Sequence, residues 1–227
     1  MESGSTATAP TLTFAGSSIG KKVVMAVTGI VLVGFVIGHM LGNLQLYAGS
    51  AALNAYAAFL HEALHGGGLW ITRAVLLGSV ALHVWSAYAL TMQNRAARPV
   101  GYREWKARES TYASRTMRWS GVILLAFIVF HLLHFTTGTV HPDYMPGEVF
   151  HNVVTGLRVA PAAIVYMIAM ALLGVHLYHG VWSMLQTLGL SHARYNHLRN
   201  GLSALVASVV VIGNLSFPIA VLSGAVH

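Results

Sequence analysis

Residues 160–188 read APAAIVYMIAMALLGVHLYHGVWSMLQTL, a run with no Asp, Glu, Lys or Arg. About 20 apolar residues are enough to cross the hydrocarbon layer as a helix, so this stretch is long enough to span a membrane. Lipid offers nothing to a backbone N–H or C=O, which leaves the helix as the spanning conformation here. Two imidazoles, His176 and His179, stand inside the run. An ionisable group at that depth is costly, and it marks a functional site or a specific buried partner.

Four more segments of the same kind flank it, at 23–47, 69–92, 117–137 and 202–226. The spacing predicts an all-α membrane protein, a bundle of five transmembrane helices. Composition agrees: of 227 residues, 56% are hydrophobic and only 8% charged, far from a soluble domain. There is no cysteine, so the chain can form no disulfide, no thiolate-held iron–sulphur cluster and no Cys-type zinc site. Residues 1–20 are polar, lack a basic stretch leading into a short apolar core, and read as a tail rather than a secretory signal. The remainder, 21–227, reads as a single membrane domain.

The formal charge of +7 does not point to nucleic acid, because the cations lie between apolar segments rather than in a basic tail. Lys21, Lys22, Arg95, Arg98, Arg103, Lys106, Arg108, Arg115, Arg118, Arg194 and Arg199 fall at one end of the five spans. Arg73 and Arg158 fall at the other. The positive-inside rule makes the first end cytoplasmic, with the N-terminus inside and the C-terminus outside. All six acids, Glu2, Glu62, Glu104, Glu109, Asp143 and Glu148, lie outside the apolar runs, which speaks against an acidic proton relay or a cation channel. The connections 96–115 and 138–159 read as ordered surface loops. Tyr102, Trp105 and Tyr112 suit the first to docking a partner or anchoring in headgroups.

Each of four apolar segments carries a histidine well inside it: His39, His83, His131 and His176. At 1.5 Å per residue, His39 stands about 25 Å from Lys22 and His131 about 20 Å from Arg118, while His83 stands about 18 Å from Arg95 and His176 about 15 Å from Gln186 near the end of its span. This suggests an outer pair from the first and third spans and an inner pair from the second and fourth. Neutral imidazole is a common axial ligand of haem iron. Two such ligands per iron leave no open position for oxygen, which suits electron transfer, so the constellation predicts two haems.

Small residues stand near all four, as a porphyrin's bulk would require: Gly34, Gly38 and Gly42, then Gly78 and Ser79, then Gly121, then Gly174 and Gly180. Close helix packing explains the Gly-xxx-Gly spacing equally well. His134 and His179 each follow a candidate ligand by three residues, nearly on one helical face. Spacing alone does not separate them from His131 and His176. A zinc site fits poorly, since no Cys or carboxylate accompanies these histidines.

The stretches GHMLGN at 38–43, SRTM at 114–117, SGVILL at 120–125 running into Phe130-His131, and HLYHGVWS at 176–183 carry a resemblance. From about residue 21 to 214 the chain resembles the five-helix, dihaem cytochrome b subunit of succinate dehydrogenases and fumarate reductases. The resemblance implies His176 over His179 and His131 over His134, with His39 and His131 on an outer haem b and His83 and His176 on an inner one. It implies a membrane anchor in the bacterial cytoplasmic membrane. There it would relay electrons from an iron–sulphur subunit, itself served by a succinate-oxidising flavoprotein, to a quinone such as menaquinone; the dicarboxylate site would lie on those partners.

Arg115, Arg118 and Ser120 are candidates to meet haem propionates, or serve only as topology signals and helix surface. His61 and Glu62, with His65 nearby, match the loop that some members place beside menaquinone, or are plain solvated residues. Some members also carry a buried glutamate shortly before the fourth-span histidine; Gly174 and Val175 stand there instead. Rival readings are a haem-free structural anchor, from which ligand histidines would have drifted, and a dihaem cytochrome serving another oxidoreductase. Assembly into a higher oligomer is compatible with either.

Overall fold

The computed structural model describes residues 16–97 and 112–227, with side chains described from 116 onward in the second stretch. Its regular structure is helical throughout. In chain order it has α1 (Ser18–Asn43), α2 (Ser50–Glu62), α3 (Gly67–Ala96), α4 (Tyr112–Phe135), α5 (Val149–Arg158), α6 (Ala160–Thr187) and α7 (Asn196–Leu222). Short 3-10 turns at Leu44–Ala48 and Ala193–Tyr195 follow α1 and precede α7. Five of these elements are long and apolar enough to cross a membrane: Ser18–Ala48, Gly67–Ala96, Thr116–Phe135, Ala160–Thr187 and Ala193–Leu222.

The starts of these helices follow local chemistry. Ser17 Oγ accepts from the Gly20 amide at 3.0 Å and so opens α1 two residues before the expected limit of the polar tail. Pro161 sits in the first turn of α6, where its missing N–H costs nothing. The fifth span begins at Asn196 rather than near Leu202 because its first, polar turn lies outside the apolar run yet continues the same hydrogen-bonded helix. Arg199 is therefore a helix residue, and it is buried: its Nη1 donates to Ser191 Oγ at 2.8 Å while the guanidinium lies 4.1 Å from the Trp182 ring.

Both outer connections contain a helix, and for 138–159 this corrects the expected surface loop. The first contains α2, which carries His61 and Glu62 in its last turn, and the segment 138–159 contains α5. Each is too short to register as a span. They fold as helices because one face packs: Leu53 of α2 and Val154 and Leu157 of α5 enter a core with Leu46, Tyr166, Phe217 and Val221. Gly156 lets α5 seat, since a Cβ there would fall 2.8–2.9 Å from ring atoms of His141, Phe135 and His134. The connection 98–111, with Tyr102 and Trp105, and the side chains of Tyr112 and Arg115 lie outside the described residues.

Helix α1 packs along α3 and also touches α6 and α7, while α6 packs along both α4 and α7. Neither α1 with α4 nor α3 with α6 is among the closely packed pairs. The four histidine-bearing helices thus form two diagonals. Many large apolar side chains, such as Leu77, Val122, Ile168 and Ile212, point outward, as a lipid-facing perimeter requires.

A polar clamp ties the α2 and α5 cap together. Asn54 Nδ2 donates to Glu148 Oε2 at 2.7 Å and its Oδ1 accepts from the Phe150 amide at 3.0 Å. Buried Asn152 pairs with both backbone groups of Met145, each at 2.8 Å, and its own carbonyl accepts from His141 Nε2 at 2.8 Å. Asn152→Ala would leave the Met145 amide without its acceptor, at about 1–3 kcal/mol, while the Met145 carbonyl would keep the Glu148 amide at 3.2 Å. The expected result is a clear drop in the midpoint of thermal unfolding in detergent, with Asn54→Ala, at a half-buried site, costing less.

Candidate functional site

The two diagonals bring the four histidines together in pairs. His39 of α1 faces His131 of α4 with ring centroids 5.9 Å apart and planes at 83°. His83 of α3 faces His176 of α6 at 6.4 Å and 54°. These are the pairs that depth counting suggests. Among the described residues no three His, Cys, Asp or Glu side chains converge as a cage for a bare metal ion would require, so each place offers a metal two imidazoles.

Hydroxyl groups set the inner pair. Thr28 Oγ1 donates to the Val24 carbonyl at 2.8 Å, and its oxygen lies 3.2 Å from His83 Nδ1. Ser120 Oγ donates to the Met117 carbonyl at 3.1 Å, with His176 Nδ1 at 3.3 Å. When both hydroxyl protons go to the helix carbonyls, each oxygen accepts from an Nδ1–H. That leaves the Nε2 lone pairs of His83 and His176 free, the state of a metal-ligating imidazole oriented by its second nitrogen.

In the outer pair, His131 Nδ1 lies 3.2 Å from the Tyr166 hydroxyl. His39 differs, because its Nε2 lies 3.3 Å from Asn43 Nδ2. It stacks on Phe35 at 5.4 Å.

The doubled histidines separate cleanly. His134 is 1% exposed, stacked on Phe130 at 5.3 Å, against Phe135 at 4.3 Å and His141 at 5.0 Å, with Nδ1 held 3.1 Å from Tyr166 Oη. His179 lies against Trp182, at 6.1 Å, rather than against His83. Facing geometry therefore singles out His131 and His176.

The glycines sort by what they touch. Gly42 faces the Tyr56 ring, which a Cβ would overlap, and Gly174 faces Val211, so both serve helix packing. Gly34, Gly38, Gly78 and Gly180 have nothing within 4 Å of a would-be Cβ. Gly121 lies beside His176 and Gly29 beside His83, with added Cβ atoms 3.8 and 3.7 Å from the respective Cε1. Sequence reading misses Gly29, Thr28 and Tyr166. Each belongs to a helix other than its histidine's, so no local spacing announces it.

Of the remaining candidates, Ser120 is buried against His176 itself, and Arg118 is exposed on the first turns of α4. His61 and Glu62 are exposed, His61 Nδ1 bonding the Ala57 carbonyl at 2.9 Å. They precede a sharp turn in which Leu64, His65 and Gly66 all have positive φ. The structure keeps this group at the end of the bundle nearer His39 and His131.

The fold and its paired histidines define a five-span, all-helical integral membrane protein. Residues 91–215, α4 to most of α7 with the end of α3, match the profile of the succinate dehydrogenase/fumarate reductase transmembrane subunit family. The chain belongs to that family, and so to the membrane part of an oxidoreductase complex. No curated protein and no solved structure matches it.

Proposed function

We propose that this chain is the cytochrome b anchor of a succinate:quinone oxidoreductase, with His39 and His131 holding one haem b and His83 and His176 another. The facing of the two imidazole pairs carries the reading. A metal bonded to both rings at about 2 Å would hold their centres about 6 Å apart. The pairs stand at 5.9 and 6.4 Å. A half-turn of the His39 imidazole exchanges its Nε2 and Cε1 positions and releases Nε2 from Asn43.

Haem iron held by two imidazoles supplies reversible one-electron transfer between the iron–sulphur partner and quinone, menaquinone being the type the resemblance implies. The protein's own work is to hold and orient. Thr28 and Ser120 fix the inner ligands' tautomers, Gly29 and Gly121 keep bulk away from the inner pair, and the α2 and α5 cap closes over the outer pair. The basic end faces the cytoplasm, and the flavoprotein and iron–sulphur subunits dock there; Arg118 would be a candidate partner for propionates of an inner haem. His61 and Glu62 stand beside quinone at the opposite face. The membrane is the bacterial cytoplasmic membrane.

The test is a reduced-minus-oxidised spectrum with a pyridine haemochrome count on the purified full-length chain. Two b-type haems per chain are expected. A haem-free spectrum from correctly inserted protein would leave only the structural anchor.

A further inference from the structure

Tyr166 lies ten residues before His176 on α6 and is 8% exposed. Its ring is boxed by Phe127 at 5.0 Å, Phe135 at 5.4 Å and Phe130 at 5.9 Å. Two imidazole nitrogens meet its hydroxyl, His131 Nδ1 at 3.2 Å and His134 Nδ1 at 3.1 Å. A phenol has one proton to give. It can donate to one of these nitrogens while accepting from the other.

The two arrangements are not equivalent. If His131 offers Nε2 to a metal, its proton sits on Nδ1 and must be donated to the phenol oxygen. The phenol then gives its own proton to His134 Nδ1. In the reverse arrangement His131 would carry its proton on Nε2, where the metal binds. His134, packed among Phe130, Phe135 and His141, is well placed as a fixed acceptor.

We propose that His134 and Tyr166 form a relay that holds His131 as its Nδ1–H tautomer, making both of them positioning residues of the outer pair. The proposal rests on the haem-ligand reading above, and it gives the second histidine of the third span a task. The inner pair uses a different device, aliphatic hydroxyls tied to their own helix. An acceptor on Nδ1–H increases the electron donation of a ligating imidazole and favours the oxidised iron. Removing it raises the reduction potential.

The experiment is an optically monitored redox titration of the full-length chain in membranes, comparing wild type, Tyr166→Phe, His134→Leu and His134→Gln. Tyr166→Phe keeps the ring and should retain both haems, with one midpoint potential raised and the other unmoved. His134→Leu should raise the same potential by less. His134→Gln, whose side-chain oxygen can accept the phenol proton, should restore it toward wild type. A merely structural role for Tyr166 would leave both potentials in place or move them together, and either result overturns the relay. Wild-type membranes without haem would instead sink the ligand reading and the relay with it.

Discussion

His131→Ala should remove one of two haems from the purified chain and leave the other spectrally intact, while His134→Ala should retain both. The same contrast is expected on α6, with His176→Ala losing one haem and His179→Ala none. The reason is facing. His131 and His176 each look across a bundle diagonal at a second imidazole, whereas His134 is enclosed by aromatic rings and His179 lies against Trp182. Pairing makes the test sharper than single losses do. A bis-imidazole site fails when either ligand goes, so a His39→Ala/His131→Ala double variant should lose no more haem than either single one. A His39→Ala/His176→Ala double variant should lose both. If instead the His39→Ala/His83→Ala double behaved as a single loss, the diagonals would be wrongly drawn. Haemochrome counts per chain, with a check of membrane insertion, decide it.

Gly29→Leu or Gly121→Leu should also empty the inner site, without removing any ligand. A Cβ at these positions meets the Cε1 atoms of His83 and His176 at 3.7 and 3.8 Å, an ordinary contact. Gly29→Ala and Gly121→Ala should therefore keep both haems. Longer side chains would occupy the space beside the facing imidazoles, and overpacking of this kind costs about 1–3 kcal/mol even where a core can shift. Gly42→Ala provides the contrast, since its Cβ overlaps the Tyr56 ring. It should lower thermal stability while leaving the ratio of the two haems unchanged. A Leu at position 29 or 121 that retained two haems with unaltered spectra would show that no porphyrin edge passes there.

Much of this was legible without coordinates, and the reason is lipid. A bilayer core accepts only apolar, internally bonded segments, so five spans stand out in plain composition and their charged flanks sort to opposite ends. The buried histidines are conspicuous against that background, and helical rise alone suggested how they pair. The short helices α2 and α5 were less visible. Their stability comes from packing one face on neighbours and from side chains such as Asn54 and Asn152, not from a long apolar window. The early start of α7 escaped for a similar reason: Arg199 reads as a flanking charge until Trp182 and Ser191 are seen around it.

Sequence by itself determined the class of protein and the number of spans, and it suggested the order of the imidazoles along them, because hydrophobicity and 1.5 Å per residue are properties of a single helix. Tertiary structure showed that His131 and His176, the two the family resemblance implies, are the ones facing across the bundle, and it alone decided which glycines flank them and that Thr28, Ser120 and Tyr166 meet the ring nitrogens. Those are contacts between helices far apart in the chain, set by how the helices rotate and pack, and residue spacing along one of them carries no record of the other.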